Sequence, residues 1–127
     1  MRVIEKALIS NIDAIAAGQR SGWSSGNTAI TRVSHNCLHV RLHDNHIATL
    51  LHDDGGTITS VTLYDAGWQT VTTKSRLNVI ASAFGVMGIY QRAFTWRFDD
   101  GTGFENGIAQ DVRAPYFGNY IYKESTT

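Results

Sequence analysis

Between residues 4 and 16 the apolar positions recur at helical spacing: Ile4, Leu8, Ile12 and Ile15 form a stripe, Ala7 and Ala16 lie beside it, and Glu5, Lys6 and Asp13 fall on the far side. This pattern predicts an amphipathic helix over residues 1–18, ending near Gly18. Residues 19–26 are rich in Gly and Ser and offer only Trp23 to a core, so they read as a loop. From 27 to 65 the period becomes two, with turn signals at His35-Asn36, Asp44-Asn45 and the Asp-Asp-Gly-Gly run at 53–56. A four-stranded antiparallel meander follows from that alternation.

A two-residue turn at Asp44-Asn45 sets His43 opposite His46, Leu42 opposite Ile47, Val40 opposite Thr49 and Leu38 opposite Leu51. A similar turn at His35-Asn36 sets Val33 by Leu38, Thr31 by Val40 and Ala29 by Leu42. An even-length loop through the double glycine would then place Val61 and Leu63 on the wrong face. A bulge or odd-length loop there, with glycine free to take positive φ, restores one apolar face.

Further on, Thr70 or Thr72 caps a helix over 70–85 whose Leu77, Ile80, Ala81 and Phe84 line up, with Gly85 as its stop. The last third, 90–127, alternates Phe94, Trp96 and Phe98, turns at Asp99-Asp100-Gly101, and returns through 104–112 as a weaker partner strand. An aromatic tail with Tyr116, Phe117, Tyr120 and Tyr122 then either completes the core or forms a contact surface. The predicted fold is a single α+β domain over 1–127: helix, four-stranded antiparallel meander, second helix, and a short C-terminal aromatic hairpin, with both helices on one sheet face.

Length and charge narrow the function without naming it. The chain has 127 residues, eleven basic and eleven acidic side chains and a single cysteine. That size suffices for one core without staples, and zero net charge removes any global pull towards DNA or anionic lipid. The lone Cys37 excludes an internal disulfide framework and fits a cytoplasmic setting. Glu5, Lys6, Asn11 and Asp13 break up the N-terminal apolar run, so no secretion signal is expected, and no stretch is long and apolar enough to span a bilayer.

The candidate chemistry collects at residues 35–53, which hold all five histidines and the cysteine. With Leu38, Val40 and Leu42 inward, Cys37, His39, Arg41 and His43 point outward, joined by His46, Ala48, Leu50 and His52 and by Ile30 and Arg32 of the next strand. The register pairs His43 with His46 and Cys37 with His52. Positions 37 and 43 are ~20 Å apart at about 3.3 Å per residue, so one ion cannot use both pairs. Each pair alone falls short of the three or four ligands a zinc takes, and no metal or cofactor is expected. An ion at the first pair would add Asp44 to His43 and His46; an ion at the second would add Asp53 or Asp54 to Cys37 and His52. Nucleophilic catalysis by Cys37 with His52 as base lacks an orienting group and a pocket, so no catalytic residue is assigned. At the second helix, Thr72, Thr73 and Ser75 with Lys74 and Arg76 form a cluster suited either to capping or to holding a phosphate.

Three segments, SGNTAI at 25–30, VRLHDNHIA at 40–48 and AGWQTVTTKSRLN at 66–78, resemble a family of small proteins encoded mainly by tailed bacteriophages and related bacterial elements. The shared pattern runs Gly-Asn-Thr, then Leu-His with an Ile-Ala strand, then Ala-Gly-Trp or Tyr followed by Thr-Thr and Arg-Leu-Asn. The family carries no activity over to this chain; the resemblance implies a phage-type intracellular protein. It also raises Thr73, Arg76 and Asn78 as functional candidates, while Cys37, His39 and His52 fall outside the pattern.

The leading expectation is a non-enzymatic binding protein acting in the host cytoplasm on a protein partner, or as a homo-oligomer, with host takeover or anti-defence as its biological setting. The expected binding surface comprises Arg32, His39, Arg41, His43, His46, Thr73, Lys74, Arg76 and Asn78. The alternatives are nucleic-acid binding through the second-helix N-terminus and the Arg/His sheet face, and a small metal-dependent or cysteine enzyme.

Overall fold

The computed structural model describes residues 2–114. The aromatic tail from 115 to 127, with its expected core or contact role, lies outside them. Two helices, α1 (Val3–Ala16) and α2 (Val71–Phe84), pack on one face of an antiparallel sheet, giving the expected α+β architecture. The strands are β1 (Gly22–Ser25), β2 (Thr28–Ser34), β3 (Cys37–Leu42), β4 (Asn45–His52), β5 (Ile58–Leu63), β6 (Ile89–Arg92), β7 (Thr95–Phe98) and β8 (Ala109–Asp111). The main sheet runs in the order β1-β2-β3-β4-β5-β8, and β6-β7 forms a separate hairpin.

The helices start and stop for local reasons. Thr70 has extended backbone and its Oγ1 accepts the Thr73 amide, satisfying one free N–H of the first turn of α2; Gly85 ends the helix at φ 70, a conformation glycine adopts without a Cβ penalty. In α1 the stripe Leu8, Ile12 and Ile15 is fully buried. Glu5, expected on the solvent side, is instead buried between the helices, where Arg76 compensates its charge.

Two extra strands extend the expected meander. The segment read as a loop contains β1, because Trp23 packs against the core and Gly26, at φ 55, turns the chain back onto β2. The expected first strand of the aromatic hairpin is itself a hairpin, β6 and β7 pairing around Ala93-Phe94, and of the expected return strand residues 109–111 join the main sheet beside β5 instead.

The register also differs. The β3–β4 turn is His43-Asp44, with φ 50 and 65, so Leu42 pairs with Asn45 and Arg41 with His46. Ile47 is then the extra residue of a bulge, and beyond it Val40 meets Ala48, His39 meets Thr49, Leu38 meets Leu50 and Cys37 meets Leu51. A one-residue slip exchanges the faces of a strand. Ala48, Leu50 and His52, expected outside, are therefore buried on the helix side, and Cys37 and His52 lie on opposite faces. A second bulge at Val33 turns Ile30 inward and leaves Val33 exposed. The irregularity anticipated after the double glycine is present: Thr59 is the extra residue, and Val61 and Leu63 join the core.

Candidate contact surface

The three segments that carry the family resemblance meet at one end of the sheet, and Arg76 joins them. Its Nε donates to Thr28 Oγ1 at 3.1 Å, Nη1 to Glu5 Oε2 at 2.8 Å and Nη2 to Asn27 Oδ1 at 3.4 Å. The His43 amide donates to the Asn27 carbonyl at 2.8 Å, tying the β3–β4 turn to the β1–β2 turn. Burial pushes the Glu5 carboxyl up, but hydrogen bonds from Ser75 and Arg76 outweigh it and hold the carboxyl below its ordinary value. The charge pair is therefore intact at neutral pH and fixes where the turns sit.

On this frame stands a rigid loop. Asp65 Oδ1 accepts the Gly67 amide at 2.8 Å and Oδ2 accepts the Gln69 side-chain amide at 3.0 Å, while Asn106 Oδ1 accepts the Asp65 amide at 2.7 Å. Burial raises the Asp65 carboxyl, yet these bonds dominate and keep it low and ionised. The chain turns through positive φ at Ala66 and Gly67, and the Trp68 amide closes onto the Asp65 carbonyl. The outcome is a Trp68 side chain 66% exposed, followed by Val71 at 73%. Beside them lies a cleft of about 440 Å³, walled by Leu42, Ile47, Ala66 and Trp68 and edged by His43, Asp65 and Thr72. A more polar hollow of about 320 Å³, lined by Asn27, Arg41 and His43 among others, opens on the other side of the His43-Asp44 turn.

The expected surface residues separate into groups. His43 stands at the turn between the two hollows. His39, Arg41 and His46 share the sheet face away from the helices, where His39 and His46 stack at 3.8 Å and Tyr64 lies 4.5 Å from His46. Burial lowers the affinity of both rings for protons; Arg41 lowers that of His39 further, and His39 and Arg41 lower that of His46. Arg32 points to the helix side, donating to the Ile15 carbonyl at 2.6 Å and so capping the end of α1. Arg76 is buried, Thr73 completes the cap with Thr70, and Asn78 bonds both the N–H and the carbonyl of Ile89. Lys74 is half-buried on the first turn of α2. Arg76, Thr73 and Asn78 thus have structural partners of their own.

The metal candidates do not converge. His46 stacks on His39 rather than meeting His43, its Nε2 is engaged with the Ala48 carbonyl and Thr49 Oγ1, and no group of three or more His, Cys, Asp or Glu could hold a metal among the described residues. Burial raises the Cys37 thiol, which keeps it in the less nucleophilic protonated form. Trp68 and Asp65 are not among the surface residues expected from the sequence. The available signal was a tryptophan between Gly67 and a capping threonine, at a position no helix or strand period assigns to the core.

The family model of the Kyanoviridae Gp96 protein matches residues 1–121, and the chain belongs to that phage protein family. Neither the curated proteins nor the solved structures include a match to it.

Proposed function

We propose that this member of the Kyanoviridae Gp96 family is a non-enzymatic binding protein that works by protein–protein contact in the host cytoplasm, through the end of the sheet where Trp68 stands. The observation that carries the reading is a tryptophan 66% exposed, held by a turn bonded to the Asp65 carboxylate at the lip of an apolar cleft. Exposing an indole is unfavourable in isolation, and aromatic anchors beside pockets dominate binding energy at protein interfaces. A host-takeover or anti-defence role is the setting in which such contact would act. Consistent with a partner in solution, no helix among the described residues is long and apolar enough to cross a membrane.

The test is a comparison of wild type with Trp68→Ala in affinity capture from host lysate, followed by binding measurements with the recovered protein. An exposed side chain contributes little to folding, so the variant should melt within about 2 °C of wild type. Its affinity for the partner should drop by roughly 30-fold or more, as for an interface hot spot. A partner held equally well by the variant would refute this surface. Self-association is the other form of the same reading, and sedimentation of both proteins distinguishes it.

A further inference from the structure

We propose that the β6–β7 hairpin is a second contact surface, for single-stranded nucleic acid, with Phe94 stacking on a base and Arg92 and Arg97 facing the phosphate backbone. The hairpin turns at Ala93 and Phe94, whose φ angles are 52 and 64. Two consecutive positive φ values define the turn that Asn-Gly occupies with least strain; Ala and Phe each pay for their Cβ there. The strain presents Phe94 at the tip, 94% exposed, the most exposed large apolar side chain among the described residues. Strain held at a tip in order to display an aromatic ring is a signature of function rather than of folding.

The faces of the hairpin differ in the same sense. Ile89 pairs with Phe98, and both are buried; Trp96, opposite Gln91, is buried and meets Phe104 edge-on at 5.7 Å. That anchored face makes the finger rigid. The other face carries the pairs Tyr90–Arg97 and Arg92–Thr95. Among the described residues the Arg92 side chain has no hydrogen-bond or ion-pair partner and the Arg97 side chain bonds the Gly101 carbonyl, so no described carboxylate pairs with either cation. Residues 89–98 contain no acid. The nearest, Asp99 and Asp100, sit at the base, away from the tip, and bond the Gly88 and Thr102 amides. Two cations, a tyrosine and a free phenyl ring on one rigid projection match a ligand that alternates phosphates with unstacked π-faces, which is single-stranded DNA or RNA.

The experiment uses fluorescence anisotropy with labelled oligothymidylate and oligouridylate of about 20 nucleotides, longer than one site of roughly 4 to 16. Wild type should bind at low ionic strength, with log K falling against log salt at a slope of about −1.4 for two phosphate contacts on a single strand. Phe94→Ala should weaken binding by roughly 5- to 150-fold, the effect of losing one base–aromatic stack. Arg92→Ala should weaken it and make the slope shallower by about 0.7. The double change Ala93→Asn with Phe94→Gly installs the turn's preferred residues, so it should raise Tm by about 3 °C or more while binding is lost; reduced binding then cannot be ascribed to unfolding. Failure of wild type to bind either oligonucleotide at low salt overturns the proposal. So does unchanged binding in the Asn-Gly variant. A requirement for Phe94 in capturing a host protein, with no oligonucleotide bound, would assign the finger to a protein interface and equally overturn it.

Discussion

Arg76 and Glu5, 71 positions apart in sequence, meet at 2.8 Å with each side chain 3% exposed. The pair ties α2 to α1, and through Thr28 and Asn27 it ties both to the start of β2. Removing one member leaves a buried charge without its partner, so Arg76→Ala should cost about 3–5 kcal/mol in urea denaturation. Replacing both, Glu5→Leu with Arg76→Met, leaves no such charge and should recover most of that loss. A double variant as unstable as the single one would show that the cost lies in lost packing rather than in the orphaned carboxylate.

This pair also marks where the sequence stops being legible. The two helices, the Thr70 and Gly85 ends of α2 and the core face of β3 follow from periodicity and local signals, whereas the faces of β2 and β4 are the reverse of what alternation and turn position predict. Glu5 reads as solvent-facing because its partner is distant in the chain. Single extra residues at Val33, Ile47 and Thr59 set the register, and nothing in the identities of Val33 or Ile47 announces a bulge. Only the double glycine gave warning of the third. The candidate site suffers accordingly: the histidine pairs deduced from the turn are dissolved by one shifted turn and one bulge, and His39 and His46 become neighbours instead. Trp68 escapes notice because no helix or strand period places it, and part of the Asp65 network that holds its turn comes from Asn106, far along the chain.

Stability should fall as pH drops below about 6.5. Burial of His39 and His46, added to by Arg41 and by their mutual proximity, places both folded-state pKa values below the ordinary 6.5. The unfolded chain then binds more protons in this range, so the pair's contribution is complete above the unfolded value and is lost as pH falls through it towards the folded values. Glu5, held low, remains ionised over that interval and weakens the fold only in stronger acid. Melting curves between about pH 8 and 5 should slope downward for wild type and more gently for His39→Gln with His46→Gln. Equal slopes in the two proteins would place the pH dependence elsewhere.

The His43-Asp44 turn shares its positive φ values with the hairpin tip, but Asp tolerates this region better than Phe does. Asp44→Gly removes the remaining Cβ strain while keeping His43 between the two hollows. A gain of about 0.5–1 kcal/mol, or roughly 3 °C in Tm, is expected. The matching measurement is partner affinity: since Asp44 contributes its backbone carbonyl, not its carboxylate, to the Arg41 contact at 3.2 Å, affinity should be unchanged. Stabilisation with loss of affinity would instead make the Asp44 carboxylate part of the contact surface.

Gly56 is the residue in the Asp-Asp-Gly-Gly turn that no other amino acid can replace without disturbance. Its φ is +89, and a Cβ added there would lie 2.8 Å from Ala17 Cα and 3.0 Å from the Ala16 carbonyl oxygen, both backbone atoms at the end of α1. Gly55, one position earlier, has ordinary φ and would meet only the Asp53 carboxylate at 3.4 Å. Gly56→Ala must therefore both strain the turn and push α1 from the sheet edge, beside the point where Arg32 caps the helix. A loss of about 2 kcal/mol or more is expected, whereas Gly55→Ala should stay within roughly 1 kcal/mol of wild type. Denaturant midpoints of the two variants, measured side by side, decide it: equal effects would mean that the close approach of the turn to α1 does not constrain the fold.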